Sequence, residues 1–321
     1  MARIVTPERP PARPPVPPRR SLPLALLLTL RPRQCVTKNA IVFAALVFAR
    51  RPQPGYAPIT VFEPAPLLQA LLAFLFFCIV SGAIYTINDI MDAEQDRLHP
   101  RKRFRPLAAG EAPIPLAWTV AVAALVIALV GSFLLRPALT GVIGVYFLVQ
   151  LAYSFGLKRQ VILDVFVIAT GFVLRAVAGA VAIAVAISPW LYVLIGLGAL
   201  FLGFSKRRAE IMLLTQYAGQ HRRVLEEYSA TLLEELIAIV TALTVMAYAL
   251  YTFSAENLPD NHAMMATIPF VLYGLFRYLY LVYRKNEGGS PDELLLVDRP
   301  LLTCIILWGL TSIAILYYPW G

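Results

Sequence analysis

The chain has 321 residues, 59% hydrophobic and only 15% charged, with a mean hydropathy of +0.69 and a net charge of +9. A soluble domain carries about 25% charged residues, so this composition excludes an ordinary water-soluble globular protein. The basic excess requires no nucleic acid as partner, because membrane topology and anionic lipid headgroups account for it.

Residues 1–30 read as a Pro- and Arg-rich tail, disordered and cytoplasmic. The apolar run at 22–30 meets Arg31, Pro32 and Arg33 with no small-residue cleavage site, which argues against a signal peptide. Residues 31–321 read as one membrane domain. Its apolar blocks have the length of helices crossing about 30 Å of hydrocarbon, and backbone inside lipid must bond within its own segment. The spans are expected near 35–50, 66–86, 113–135, 138–156, 161–186, 189–205, 232–253, 265–283 and 300–318. The fold class is all-α, a polytopic membrane protein of about nine helices.

With the N-terminus placed inside, 23 of the 28 Lys and Arg residues fall in inner loops, leaving Arg50, Arg51 and Arg136 outside and Arg175 and Arg277 within spans. This asymmetry predicts an N-inside, C-outside protein of the inner (plasma) membrane. Cys35, Cys78 and Cys304 stand far apart without ligand spacing and read as apolar fillers.

The sharpest chemical signal closes the second span, where residues 88–96 read N-D-x-x-D-x-x-x-D. On a helix Asp89, Asp92 and Asp96 share one face. Like charges so spaced destabilise a bare helix. A hard divalent cation reverses that sign, and Mg2+ takes one or two carboxylates plus phosphate oxygens. A solvated acidic helix end is the bland alternative, less suited to a motif abutting a membrane span. Downstream, residues 99–106 add Arg101, Lys102, Arg103 and Arg105, either a phosphate grip or a membrane-surface stripe. Lys158 and Asp164 stand at the start of span five, and Arg175 deeper within it must face a polar partner or substrate. Arg277 reads as an interfacial anchor. Residues 220–228 read as a surface helix or lid.

The 88–96 motif resembles the first Asp-rich motif of the UbiA prenyltransferase superfamily. Residues 31–39 resemble that family's R-P-x-Q-W-x-K-N opening, with Cys35 where Trp is usual, and residues 153–159 its Tyr…Lys loop after span four. The resemblance covers about 31–318. It implies nine helices around a central cavity, with Asp89, Asp92 and Asp96 binding Mg2+ and, through it, a substrate diphosphate. Members that use prenyl diphosphates carry a second acidic motif after span six. This chain instead has Ser205, Lys206, Arg207, Arg208, Ala209 and Glu210 there. Cations at that place suit a phosphate on the substrate itself.

With Asp298 and Arg299 before Pro300, these features resemble the branch that transfers phosphoribose to polyprenyl phosphates. The resemblance implies phosphoribosyl diphosphate and a polyprenyl phosphate lipid as substrates and Mg2+ as cofactor. Lys158 and Asp164 would assist the three aspartates in catalysis. Substrate binding would fall to Lys38, Asn88, Tyr153 and Arg175, to Lys102, Arg103 and Arg105 after the first motif, and to Lys206, Arg207 and Glu210 after span six. Asp164 would orient Lys158 or the ribose. The competing expectations are an aromatic prenyltransferase using a polyprenyl diphosphate and, from another class, a transporter. The spans have few charges at their centres and no Gly/Pro-broken half repeats, which disfavours the transporter.

Overall fold

The computed structural model describes residues 20–48, 63–98, 102–186, 188–214, 225–256, 258–285, 289 and 291–317, and among them all regular structure is helical. Three short helices come first, α1 (Leu22–Thr29), α2 (Pro32–Asn39) and α3 (Ala44–Phe48), with a 3-10 turn at Ala40–Phe43 between the last two. Then follow α4 (Pro64–Met91), α5 (Ala93–Leu98), α6 (Ile114–Leu135), α7 (Pro137–Phe155), α8 (Leu163–Ala182), α9 (Pro189–Leu214), α10 (Ala230–Ser254), α11 (Ile268–Arg284), α12 (Pro291–Val297) and α13 (Arg299–Tyr317). Proline opens α4, α6, α7 and α11, where its missing N–H costs no helical bond.

Among the described residues, eight segments, built on α4, α6, α7, α8, α9, α10, α11 and α13, are long and apolar enough to cross a membrane. The ninth expected span, 35–50, exists as α2, the 3-10 turn and α3, and its last residues fall outside the described ones. Each long helix packs on the next in chain order, and the α2–α3 segment lies against α4 and α8. Outward faces carry exposed Val122, Val126, Val130 and Phe133 on α6, and Ile239, Leu243, Met246 and Phe253 on α10. Such surfaces suit lipid, in which apolar side chains need no cover.

Two expectations change. Residues 22–29, assigned to a disordered tail, form α1; residues 1–19 lie outside the described ones. Ala25 is fully buried with Leu107, Ala112 and Ala117, and Leu30 sits against Gly82 of α4, so tertiary contact stabilises a helix too short to persist alone. The cationic stretch 205–210, expected in a loop, rides on α9, which continues past the expected end at 205 to Leu214. Lys, Arg and Glu are good helix formers, and Arg207 pairs with Glu210 one turn on.

Close helix approach depends on small residues. Ala117, Ala121, Ala124 and Ala128 form the buried stripe of α6, which packs on α4. On α8, a Cβ at Gly179 would overlap the carbonyl of Val42, so the 3-10 backbone lies directly on the helix. Replacing Gly179 by Ala forces backbone, not a pliable side chain, to move. We expect a loss of about 1–3 kcal/mol, read as a lowered melting temperature in detergent. Gly141→Ala, with nothing within 4 Å of its Cβ, should melt with the parent.

Candidate active site

The aspartates of the 88–96 motif straddle the end of α4. Asp92 leaves helical geometry (φ −93, ψ 2), and its N–H bonds the Asn88 carbonyl at 2.9 Å. The Asp96 N–H then bonds the Asp92 carbonyl at 2.8 Å, carrying the turn into α5. Asp89 and Asp96 are each 3% exposed. Carboxylates so buried stay ionised only with counter-charges.

Those arrive from two directions. One is the turn between α1 and α2, where Arg31 adopts a left-handed conformation (φ 49) before Pro32. Proline disfavours right-handed helix at the residue before it, and the turn brings the Arg31 guanidinium onto Asp89 and 5.1 Å from the centre of the Tyr85 ring. The other is the segment after α5. Arg105 Nη1 donates to Asp89 Oδ1 at 3.1 Å and to Asp96 Oδ2 at 2.6 Å, while Lys102 Nζ lies 3.8 Å from Asp96. Arg103 stacks on Phe104, and its Nε is buried with no hydrogen-bond partner among the described residues. Residues 99–101 of this loop fall outside the described ones.

Asp92 looks elsewhere. A third of its side-chain surface is exposed, and Lys158 Nζ lies 3.4 Å from Oδ1. Among the described residues, no three acidic, His or Cys side chains converge into a protein-only metal cage. Asp89 and Asp96, in reach of one shared atom, nonetheless offer the hard oxygens Mg2+ takes when phosphate completes its shell. The donor chemistry therefore fits a metal whose shell a diphosphate completes.

The second cluster departs from expectation. Lys158 and Asp164 do not pair. Asp164, fully buried, accepts from Arg207 Nε at 2.7 Å and from the Tyr228 hydroxyl at 2.7 Å. The Tyr228 oxygen in turn accepts the Ile162 N–H at 2.7 Å, in a turn where Ile162 holds a left-handed φ of 69 that a β-branched residue rarely adopts. Burial, with the bond to Asp164, pushes the Tyr228 phenol above its usual pKa. Arg207, 3% exposed, also reaches Glu210 at 2.6 Å, and Tyr153 lies beside it. Expected to grip phosphate with Lys206, Arg207 is instead committed to two carboxylates, while Lys206 on the same turn is exposed.

The family model described as the UbiA prenyltransferase family matches residues 41–295. The chain belongs to the UbiA prenyltransferase family. It is a multi-pass membrane protein. It is 35% identical over 305 residues to the decaprenyl-phosphate phosphoribosyltransferase of Corynebacterium glutamicum, covering 94% of this chain and 89% of that one. It is also 35% identical to the protein of the same name from Mycobacterium tuberculosis H37Rv, covering 90% and 93%. Among solved structures, a UbiA homolog from Archaeoglobus fulgidus bound to GPP and Mg2+ superposes with a TM-score of 0.68 at 19% identity, covering 91% of this chain and 99% of that one.

Within this UbiA-family bundle, the remaining expected residues occupy separate places. Arg175, 5% exposed, donates to Asn39 Oδ1 at 2.6 Å and to the Tyr146 hydroxyl at 2.7 Å, with the Tyr146 and Phe172 rings beside it. It joins α2, α7 and α8, so of its two expected roles the structure displays the pairing one. Lys38 lies 3.5 Å from the Tyr85 hydroxyl. Arg277, expected to anchor at the interface, forks onto Asp298 at 3.1 and 2.8 Å, which holds the Asp298 carboxyl below its usual pKa. The stretch 220–224 lies outside the described residues. Sequence reasoning missed Arg31, Tyr85 and Tyr228 as members of these clusters. Arg31 was signalled by its place before Pro32 and Tyr228 only by its place in the 220–228 stretch read as a surface helix or lid; Tyr85 carried no signal beyond its type.

Because Arg207 is buried against two carboxylates and Lys206 is exposed, their neutral variants should diverge. Arg207→Gln leaves Asp164 buried and short of charge, and should cost about 3–5 kcal/mol. Lys206→Gln should stay within about 0.5 kcal/mol. Thermal melts of both purified variants in one detergent check this.

Proposed function

We propose that the chain transfers 5-phosphoribose from its 1-diphosphate to a polyprenyl phosphate, releasing diphosphate, in the plasma membrane. One observation carries the choice over a prenyl-diphosphate donor. Where that donor needs a second acidic pair after span six, residues 205–210 carry three cations and a single carboxylate, Glu210, which pairs with Arg207. Support also comes from relatives of that name aligned along about nine-tenths of the chain.

Mg2+ held by Asp89, Asp92 and Asp96, with Asn88 supporting its water shell, would supply positive charge to the leaving diphosphate. Lys102, Arg103 and Arg105 take oxygens of the donor's phosphates, the Arg103 Nε being a donor still without an acceptor. Lys158 and Lys206 face the remaining phosphoryl groups, and Lys38 and Tyr153 complete the substrate-binding surface. The acceptor phosphate is already an anion, so no general base is required. Its oxygen forms a bond to the anomeric carbon as the carbon–oxygen bond to diphosphate breaks, through an oxocarbenium-like state. Asp164 acts through Arg207 and Tyr228, positioning the turn that carries Lys158.

The test is direct. Purified protein with Mg2+, a polyprenyl phosphate and 5-phosphoribosyl 1-diphosphate labelled in the ribose should move label into the lipid phase. Asp92→Asn should lower that rate by about 10²–10³-fold, the usual loss of a transition-state charge stabiliser, without altering the melting curve. Label appearing only when a polyprenyl diphosphate and an aromatic acceptor are supplied would establish the other donor class.

The basic loops support an aspartate end that faces the cytoplasm. In a cysteine-free background, Glu94→Cys should react with an impermeant maleimide only from the inner face, and Asn261→Cys only from the outer face. The reverse pattern would invert the topology.

A further inference from the structure

For a cation in a phosphate site, Arg105 is turned the wrong way. Its guanidinium faces carboxylates, with one nitrogen 3.1 Å from Asp89 and 2.6 Å from Asp96. We propose that Arg105 is a resident counterion for Asp89 and Asp96 that a divalent cation displaces only when it arrives with a diphosphate. Substrate capture is then an exchange of partners: the carboxylates pass from guanidinium to metal, and the guanidinium passes from carboxylates to phosphate oxygen. This inference rests on the metal–diphosphate function proposed above.

Electrostatics sets the direction of the exchange. Two carboxylates that are each 3% exposed need positive charge beside them at all times. A metal ion arriving alone must push aside a guanidinium that has no other anion to bind, leaving two like charges side by side. A metal ion carrying diphosphate brings the planar-fork acceptor that Arg binds best. Both ligands therefore bind tightly only together.

The local structure permits the side chain to swing while its backbone stays fixed. The Arg105 N–H bonds the Lys102 carbonyl at 2.9 Å, and the Ala109 N–H bonds the Arg105 carbonyl at 2.8 Å. Leu107 and Ala112, buried against Ala25 and Ala117, root the segment in the bundle. The Arg105 side chain itself is 27% exposed, leaving a path outward. Arg31 also lies on Asp89 and Lys102 near Asp96, so neither carboxylate depends on Arg105 alone for positive charge.

The experiment titrates the full-length protein in detergent with Mn2+ as spin probe, with and without inorganic diphosphate, and uses neither ribosyl donor nor lipid. Wild type should bind Mn2+ alone weakly and the Mn2+–diphosphate pair more tightly by roughly tenfold or more, the scale of ordinary inter-ligand coupling. Arg105→Gln should bind Mn2+ alone roughly tenfold more tightly than wild type and lose most of the gain from diphosphate. Its melting temperature should fall without metal and recover with Mn2+. If the Gln variant does not fold, Arg105→Lys is measured in its place, since a point charge bridges two carboxylates less well, and the same sign is expected. Unchanged or weaker binding of Mn2+ alone in the folded variant, beside a wild type that binds the pair, overturns the exchange and leaves the function standing. A wild type that binds no Mn2+ even with diphosphate overturns the metal-dependent function and the exchange with it.

Discussion

Neutralising two buried carboxylates is the constraint on which one end of this protein depends. Asp89 and Asp96 sit where water is scarce, and an unpaired charge there would cost several kcal/mol. Arg31 and Arg105 meet that cost from opposite sides, one across the α1–α2 turn and one from the segment after α5. The left-handed backbone at Arg31 and the packing of Ala25 with Leu107 hold those two segments beside the carboxylates. The residues that make the fold possible at this end are the same ones that make the site.

A second charged knot works by the same rule. Asp164, Arg207, Glu210 and Tyr228 tie α8 to α9 and to the chain leading into α10. The three hydrogen bonds among them are 2.6–2.7 Å long, and the knot holds the turn that presents Lys158 to Asp92. One cluster gathers on the carboxylates at the end of α4 and the other braces the turn that carries Lys158. Arg175 with Asn39 and Tyr146 serves the bundle interior, where a cation needs polar partners at whatever depth it lies.

Elsewhere the bundle is held by fit and not by charge. Lipid offers apolar side chains as good a surrounding as protein does, so helices associate where small residues let backbones approach. The alanine stripe of α6 and the Gly179–Val42 approach are such places. That is also why the polar knots count for so much in aligning the carboxylate end.

The sequence by itself determined the class of the protein, its long helices and the aspartates at the end of α4, because apolar length and charge spacing are local properties. It also located the cationic stretch around Arg207 and recorded the missing second acidic motif. It did not determine which cation serves which anion. Lys158 lies six residues from Asp164 yet reaches Asp92, and Arg207 reaches across from α9 to take Asp164. Nor did local pattern foretell that residues 22–29 fold, since a helix that short is stabilised by Leu107, Ala112 and Ala117, over seventy-five positions away. Pairing among buried charges is settled by proximity in three dimensions. Only the packed bundle decided that Arg105, and not Lys158, would stand between Asp89 and Asp96.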